Sequence, residues 1–263
     1  MKRKDIIKIL RAPLLLLYNI YALVLFLVLM VPIFICSLLA TTFGRIRGGN
    51  LVYKACTVWA DIWCFLIFIH HKNIYKQPLK KGKSYIFIAN HISYLDAVII
   101  LKMFRVPVRP LGKVELTKIP LFGFIYKYVI VTVDRSSVTN RFKSVQLLKS
   151  ILKKGISVVV FPEGTFNTTN KPLLDFYDGA FRIAIETGTP IKPVLLLDTF
   201  KRMHYNSVFS LTRGKSRSIF LEEVDVNGLT LQDVSALKEK VYQLMEAALI
   251  EYRAPWITED VNS

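Results

Sequence analysis

A histidine and an aspartate five positions apart are the first residues whose types and spacing could do chemistry. His91 and Asp96 lie in the segment Asn-His-Ile-Ser-Tyr-Leu-Asp, residues 90–96, which follows an apolar predicted strand and opens a predicted helix. Histidine is a good general base near neutral pH, and a carboxylate that holds one ring nitrogen leaves the other free to accept a proton. The alternative is structural, because Ser93-x-x-Asp96 also matches a capping box that only starts the helix.

A second candidate is the segment Phe-Pro-Glu-Gly-Thr, residues 161–165, directly after the apolar run 156–161. Gly164 permits a sharp turn, which would present Glu163 and Thr165 at the end of the strand. A carboxylate just outside so apolar a strand costs free energy unless it is solvated or paired. This cost favours a functional role over a plain turn at the end of a strand.

A third candidate is Asp134-Arg135-Ser136, which also follows a predicted strand. Arginine binds phosphate through two parallel hydrogen bonds, and the start of the next helix favours anions. A surface Asp–Arg turn explains the same residues equally well. Lys113 and Glu115 lie between the first and third candidates. The cysteines and histidines show no metal-ligand spacing, so we predict neither a metal nor a cofactor.

These candidates must be positioned by a fold in which strands and helices alternate. Predicted strands cover residues 84–89, 128–133, 156–161 and 191–197, with a more polar edge strand at 218–224. Predicted helices cover residues 93–104, 137–153, 176–186 and 231–253. This alternation predicts an α/β fold: a largely parallel central sheet flanked by helices. The carboxyl ends of parallel strands meet at one edge, where such folds bind ligands.

The first third of the chain is apolar and predicts a membrane-associated helical segment. No charged residue occurs from Ala12 to Gly44, which is long enough to span a bilayer. It either spans once or kinks at Pro32 and returns as a buried hairpin. A second apolar stretch, residues 51–71, contains Trp59 and Trp63 at helical spacing, as expected of an interfacial helix.

The amino-acid composition indicates which kinds of molecule this protein binds. The net charge is +17 and 52% of residues are hydrophobic, which favours an anionic bilayer surface or a phosphorylated substrate. Zinc-finger spacing and RNA-binding aromatic signatures are lacking in the sequence, so we expect no nucleic-acid partner. The predicted organisation is anchor helices at 1–72, a catalytic domain at 73–253 and a tail at 254–263.

Taken together, these motifs resemble the glycerol-phosphate acyltransferase superfamily, and most closely its 1-acyl-glycerol-3-phosphate (lysophosphatidic acid) acyltransferases. The matching segments follow the family's order across residues 84–197: Asn90-His91…Asp96, Lys113-x-Glu115-Leu116, Asp134-Arg135, residues 161–165, and Pro190-Ile191-x-Pro193-Val194. The resemblance implies transfer of a fatty acyl group from acyl-CoA or acyl-carrier protein to the sn-2 hydroxyl of 1-acyl-glycerol-3-phosphate, which makes phosphatidic acid. It also implies a membrane location, which we expect to be the cell inner membrane with the catalytic domain on the cytoplasmic face.

The resemblance also implies a role for each matching residue. His91 would be the general base and Asp96 its orienter, and Lys113 and Arg135 would hold the acceptor phosphate. Glu163, Gly164 and Thr165 would shape the acceptor pocket, and Pro190 with its neighbours is associated with the acyl donor. Phe166 departs from the family, which often has Arg or Ser there. Two alternatives stay open: another lysolipid acceptor such as a lyso-ornithine lipid, and a non-catalytic membrane-surface protein of the same fold.

Overall fold

The computed structural model describes residues 3–133 and 138–257. The helices are α1 (Arg3–Ala40), α2 (Gly44–Leu66), α3 (Asp96–Met103), α4 (Phe122–Val129), α5 (Val138–Lys153), α6 (Gly179–Thr187), α7 (Thr199–Arg202) and α8 (Val234–Glu251). The strands are β1 (Ile69–Tyr75), β2 (Ile86–Ala89), β3 (Arg109–Lys113), β4 (Val131–Val133), β5 (Val158–Val160), β6 (Ile191–Leu196) and β7 (Gly214–Phe220). Short 3₁₀ turns cover Thr41–Phe43, Val114–Lys118, Val208–Ser210 and Leu231–Asp233.

In the described part of the chain the strands form one mixed sheet in the order β1-β7-β6-β2-β5-β3-β4. The strands from β6 to β4 are parallel, whereas β7 runs antiparallel to β6 and carries β1 parallel to itself. The predicted α/β fold with a largely parallel sheet is therefore confirmed. The predicted edge position of 218–224 is wrong, because β7 pairs on both sides. The polar composition of this segment suggested an exposed edge, but Ser216 and Ser218 are small enough to be fully buried inside the sheet.

Alternation along the strands divides the core into two layers. Ile86 and Ile88 in β2 face one side of the sheet and pack with residues of α5, α6 and α8. Phe87 faces the other side and packs with residues of α1 to α4. Successive side chains of a strand point to opposite faces, so both faces of this sheet are covered by helices.

The apolar N-terminal segment forms a helical hairpin. The chain reverses at Thr41–Gly44 and not at Pro32, which lies inside α1; Gly44 has the positive φ of 71° that glycine adopts readily. The helix α2 packs on the catalytic domain through α3 and α4. Trp59 and Trp63 do not lie at an exposed interface as expected, because their stacked rings are buried against Phe26 of α1. The outer helix α1 exposes large apolar side chains from Leu14 to Leu39, and the run Ala12–Leu66 is long and apolar enough to enter a membrane.

Several elements were not predicted. The strand β1 crosses the predicted domain boundary at residue 72, and β3 contains Pro110 and Gly112, which are poor strand formers. The helix α4 covers residues expected to lie in a loop and at the start of a strand. Beyond α8, Ala254 and Trp256 are buried, so the predicted tail packs on the domain as far as residue 257.

Candidate active site

The parallel strands bring the separate sequence motifs to one edge of the sheet. The strand β2 ends at Ala89, β5 at Val160 and β3 at Lys113, and the registers pair β2 with β5 and β5 with β3. The segments that follow β2 and β5 therefore begin side by side. We call this side of the sheet the catalytic edge.

His91 and Asp96 form a hydrogen-bonded pair at the catalytic edge. His91 Nδ1 lies 2.9 Å from Asp96 Oδ2, which also accepts the backbone N–H groups of Ile92 at 2.8 Å and Ser93 at 2.9 Å. The carboxylate is fully buried, whereas the imidazole is 22% exposed. An acceptor on Nδ1 fixes that nitrogen as N–H, so Nε2 is left as the proton acceptor. Residues 91–96 form a turn, which we call the catalytic turn, and it lets two side chains five positions apart face one cleft.

The capping-box pattern is only half formed in this turn: the Asp96 carboxylate accepts the N–H of Ser93, but the Ser93 hydroxyl accepts the N–H of Leu95 and not that of Asp96. Asp96 is the first residue of α3, and its carboxylate accepts from residues that precede the helix. The Ser93 hydroxyl accepts the N–H of Leu95 at 3.0 Å and donates to the carbonyl of Met203 at 2.5 Å. Ser93 thus fastens the catalytic turn to a distant part of the chain.

Asn90 fixes the catalytic turn from the other side. Its side-chain oxygen accepts the N–H of Leu196 at 2.8 Å, and its amide nitrogen donates to the Leu196 carbonyl at 3.2 Å. These two bonds join the end of β2 to the end of β6. Ser93 and Asn90 bind partners more than 100 residues away, so local sequence patterns carry no signal for their roles.

Glu163 braces the backbone beneath His91. Its Oε1 accepts the N–H of His91 and its Oε2 accepts the N–H of Leu174, each at 2.9 Å, and the residue is only 3% exposed. Burial raises the pKa of Glu163 to about 7, against the two backbone N–H donors that lower it. Gly164 has φ +71° and closes a tight turn with Phe161, while Thr165 is exposed.

Aromatic rings enclose the imidazole. The His91 ring stacks on Phe161 at 4.0 Å between centroids, and the Phe166 ring contacts it edge-on at 4.3 Å. Tyr94 packs against Phe166 at 4.9 Å. The N–H of Asn167 donates to the carbonyl of His91 at 2.8 Å. The rings restrict rotation of the imidazole, and Phe166 lies directly beside the pair.

This geometry leaves His91 Nε2 as a possible proton acceptor, and comparison with known proteins identifies the family. An acyltransferase family model matches residues 69–197. The 1-acyl-sn-glycerol-3-phosphate acyltransferase of Haemophilus influenzae is 32% identical over 229 residues, which is 86% of this chain and 93% of that protein. The chain belongs to the 1-acyl-sn-glycerol-3-phosphate acyltransferase family.

Two further comparisons extend the relationship of this acyltransferase. The 1-acyl-sn-glycerol-3-phosphate acyltransferase of Escherichia coli is 31% identical over 168 residues, covering 63% of this chain and 67% of that protein. The crystal structure of the 1-acyl-sn-glycerophosphate (LPA) acyltransferase PlsC from Thermotoga maritima superposes with a TM-score of 0.71 at 25% identity. That likeness covers 94% of this chain and 98% of the other, so it includes the N-terminal hairpin.

The remaining motif residues of the acyltransferase lie in different places. Lys113 is exposed at the end of β3, on the catalytic edge, and its register partner Val133 ends β4. Arg135, two residues later, lies outside the described residues. Pro190 precedes β6, whose first residue pairs with Ile86 at the start of β2, so it lies at the opposite end of the sheet from His91. Among the described side chains, no three His, Cys, Asp or Glu residues form a metal-binding group.

Proposed function

We propose that this acyltransferase moves a fatty acyl group from acyl-CoA or acyl-carrier protein to the sn-2 hydroxyl of 1-acyl-glycerol-3-phosphate, which makes phosphatidic acid. The observation that carries the proposal is the His91–Asp96 pair, with Nδ1 bound to a buried carboxylate and Nε2 left to accept a proton. The names of the Haemophilus influenzae and Escherichia coli relatives support the choice of acceptor.

The proposed reaction proceeds by direct transfer. His91 Nε2 removes the proton from the acceptor hydroxyl while that oxygen attacks the thioester carbonyl carbon. The new C–O bond forms, the C–S bond breaks, and the imidazolium returns its proton to the leaving thiolate. Asp96 stabilises the imidazolium, since the two groups are 2.9 Å apart and the carboxylate is fully buried. General-base catalysis contributes about 10²–10⁴-fold, and positioning of the two substrates supplies much of the rest.

We assign the acceptor phosphate to Lys113 and Arg135. Lys113 is the last residue of β3, and Arg135 comes two residues after the neighbouring strand β4 in the sequence. The headgroup of a lysophospholipid lies at the bilayer surface, so the site must lie close to that surface. We assign the hairpin of α1 and α2 to the cell inner membrane, with the catalytic domain on the cytoplasmic face. Protease treatment of sealed vesicles tests this orientation, and cleavage of the domain only from the periplasmic side would reverse it.

A panel of acceptors tests the reaction. Purified full-length protein in lipid vesicles receives labelled acyl-CoA or acyl-carrier protein, with lysophosphatidic acid, a lyso-ornithine lipid or glycerol 3-phosphate as acceptor. We expect the highest kcat/KM for lysophosphatidic acid, and a value about 10²–10⁴-fold lower for His91→Ala. A preference for another lysolipid would reassign the acceptor, and incorporation into none of them would favour the non-catalytic membrane-surface protein.

A further inference from the structure

One segment of the catalytic domain is strongly basic and takes no part in the proposed reaction. Residues 199–221 contain five lysines and arginines and no aspartate or glutamate. Arg217 is paired with Asp198 by two hydrogen bonds of 2.8 and 2.9 Å. Among the described side chains, Lys201, Arg213 and Lys215 form no ion pair. The segment therefore presents uncompensated positive charge.

Two large apolar side chains are exposed in the middle of this basic segment. Val208 is 51% exposed and Phe209 is 48% exposed, both in the 3₁₀ turn Val208–Ser210. The turn is held in shape by the Ser207 hydroxyl, which accepts the N–H of Phe209 at 3.0 Å, and by Ser210, which donates to the Ser207 carbonyl at 2.6 Å. A segment in which exposed apolar residues are flanked by basic residues in the sequence is typical of surfaces that bind the headgroup region of an anionic bilayer.

The turn is joined to the outer helix of the hairpin. Asn19 in α1 is 3% exposed; its side-chain oxygen accepts the N–H of Leu211 at 2.8 Å and its amide donates to the Leu211 carbonyl at 3.1 Å. The turn Val208–Ser210 packs against α1 beside these bonds. The exposed side chains of Val208 and Phe209, which we call the apolar tip, are thus continuous with the exposed apolar surface of α1. In the sequence, four lysines and arginines follow Lys2 within the first eleven residues, so the same end of α1 is also basic.

The segment lies at the catalytic edge. Because β7 runs antiparallel to β6, its first residues extend beyond Leu196, on the side of the sheet where His91 lies. Met203, at the start of the segment, accepts the hydroxyl of Ser93 in the catalytic turn. A surface contact made here would hold the catalytic turn at a fixed height above the plane of contact.

We propose that the turn Val208–Ser210, together with Lys201, Arg213 and Lys215, is a second membrane contact, which the catalytic domain makes in addition to that of the hairpin. Val208 and Phe209 enter the headgroup region of an anionic bilayer, and the three cations bind lipid phosphates around them. An acidic carrier protein would also fit the charges. The exposed apolar pair and its continuity with α1 favour the bilayer.

A spin label at the tip tests the contact in the full-length protein. Phe209→Cys is made with Cys36→Ser, because Cys56 and Cys64 are buried and Cys36 is exposed. After reconstitution into phosphatidylglycerol-containing vesicles, we expect the label to lose access to a water-soluble nickel relaxant and to gain access to oxygen. Leu231→Cys is the matched control, since Leu231 is 47% exposed beside α8, on the opposite face of the sheet. Equal access to the nickel reagent at both positions would refute the contact.

Charge reversal separates the bilayer from a protein partner. We expect Lys201→Glu, Arg213→Glu and Lys215→Glu together to restore nickel access at position 209 and to remove its dependence on phosphatidylglycerol. The triple variant Lys81→Glu, Lys154→Glu and Lys240→Glu changes the net charge equally on exposed lysines elsewhere and should leave the label protected. Unchanged turnover in detergent micelles shows that both variants fold. Protection that needs added acyl-carrier protein and does not occur with lipid alone would overturn the proposal.

Discussion

Glu163→Gln tests whether the buried carboxyl, which binds the backbone N–H of His91, stabilises the fold to an extent that depends on pH. Each carboxyl oxygen accepts a backbone N–H, from His91 or from Leu174, at 2.9 Å. A glutamine supplies one acceptor oxygen, so its NH₂ group must face the second N–H. Leaving a buried donor without an acceptor costs about 1–3 kcal/mol. We therefore expect the variant to be less stable by about that amount where the wild-type carboxyl is protonated.

The difference depends on pH because burial raises the pKa of Glu163 to about 7 from the usual 4.5. The folded protein holds this proton more tightly than the unfolded chain between those values. The wild type therefore loses stability as pH rises through that window, by at most roughly 3.5 kcal/mol at about 1.4 kcal/mol per pKa unit. Glutamine does not titrate, so the variant lacks this loss. The gap in stability should narrow above neutral pH.

Thermal unfolding in detergent measures the effect, since about 1 kcal/mol shifts Tm by roughly 2–4 °C in a domain of this size. The Tm of Glu163→Gln should lie below that of the wild type at acidic pH and approach it at alkaline pH. Glu222→Gln is the control, because Glu222 is exposed, and its Tm should follow the wild type throughout. Parallel curves for Glu163→Gln and the wild type, or a gap that widens with pH, would refute the reasoning.

The other predictions concern turnover and acceptor choice. His91→Ala should lower kcat about 10²–10⁴-fold with membrane association unchanged, and near-wild-type turnover would exclude the base. Asp96→Asn should cost less, because an amide oxygen can still accept the His91 N–H although the charge is lost; an equal loss of kcat would contradict this. Arg135→Ala should raise KM for lysophosphatidic acid more than it lowers kcat, whereas an unchanged KM removes its phosphate role. Phe166→Arg should alter the kcat/KM ratio among lysolipids, because its ring lies 4.3 Å from that of His91; a lower Tm with an unchanged ratio would indicate packing alone.

Those parts of the fold and of the site that depend on neighbouring residues in the chain could be predicted from the sequence. The apolar run before Pro162 and the motif around His91 each combine a strand with the polar residues that follow it. Parallel pairing then brings those residues together, so the shared edge of the sheet follows from local patterns and one rule of topology. The valines of β5 are β-branched and give the strand a clear signal.

Features set by distant contacts could not be predicted. The strand β3 contains Pro110 and Gly112, and it exists because β5 and β4 pair on its two sides. The role of Glu163 depends on N–H groups 72 and 11 residues away, and no local sequence pattern identifies these partners. The side to which Phe166 turns is set by Tyr94 and His91 across the cleft.

The position of β1 has a consequence for the order in which the protein folds. In the register, His71 lies opposite Ser216, 145 residues later, and β7 is what joins β1 to the rest of the sheet. A ribosome releases α1 and α2 long before β7 is made, so the hairpin can enter the membrane while its inner side is bare. The face of α2 that includes Tyr53 must wait for α3 and α4, which cover it and are made later. A nascent chain stalled before Gly214 would leave β1 unpaired, which makes it a target for chaperones and proteases at the membrane.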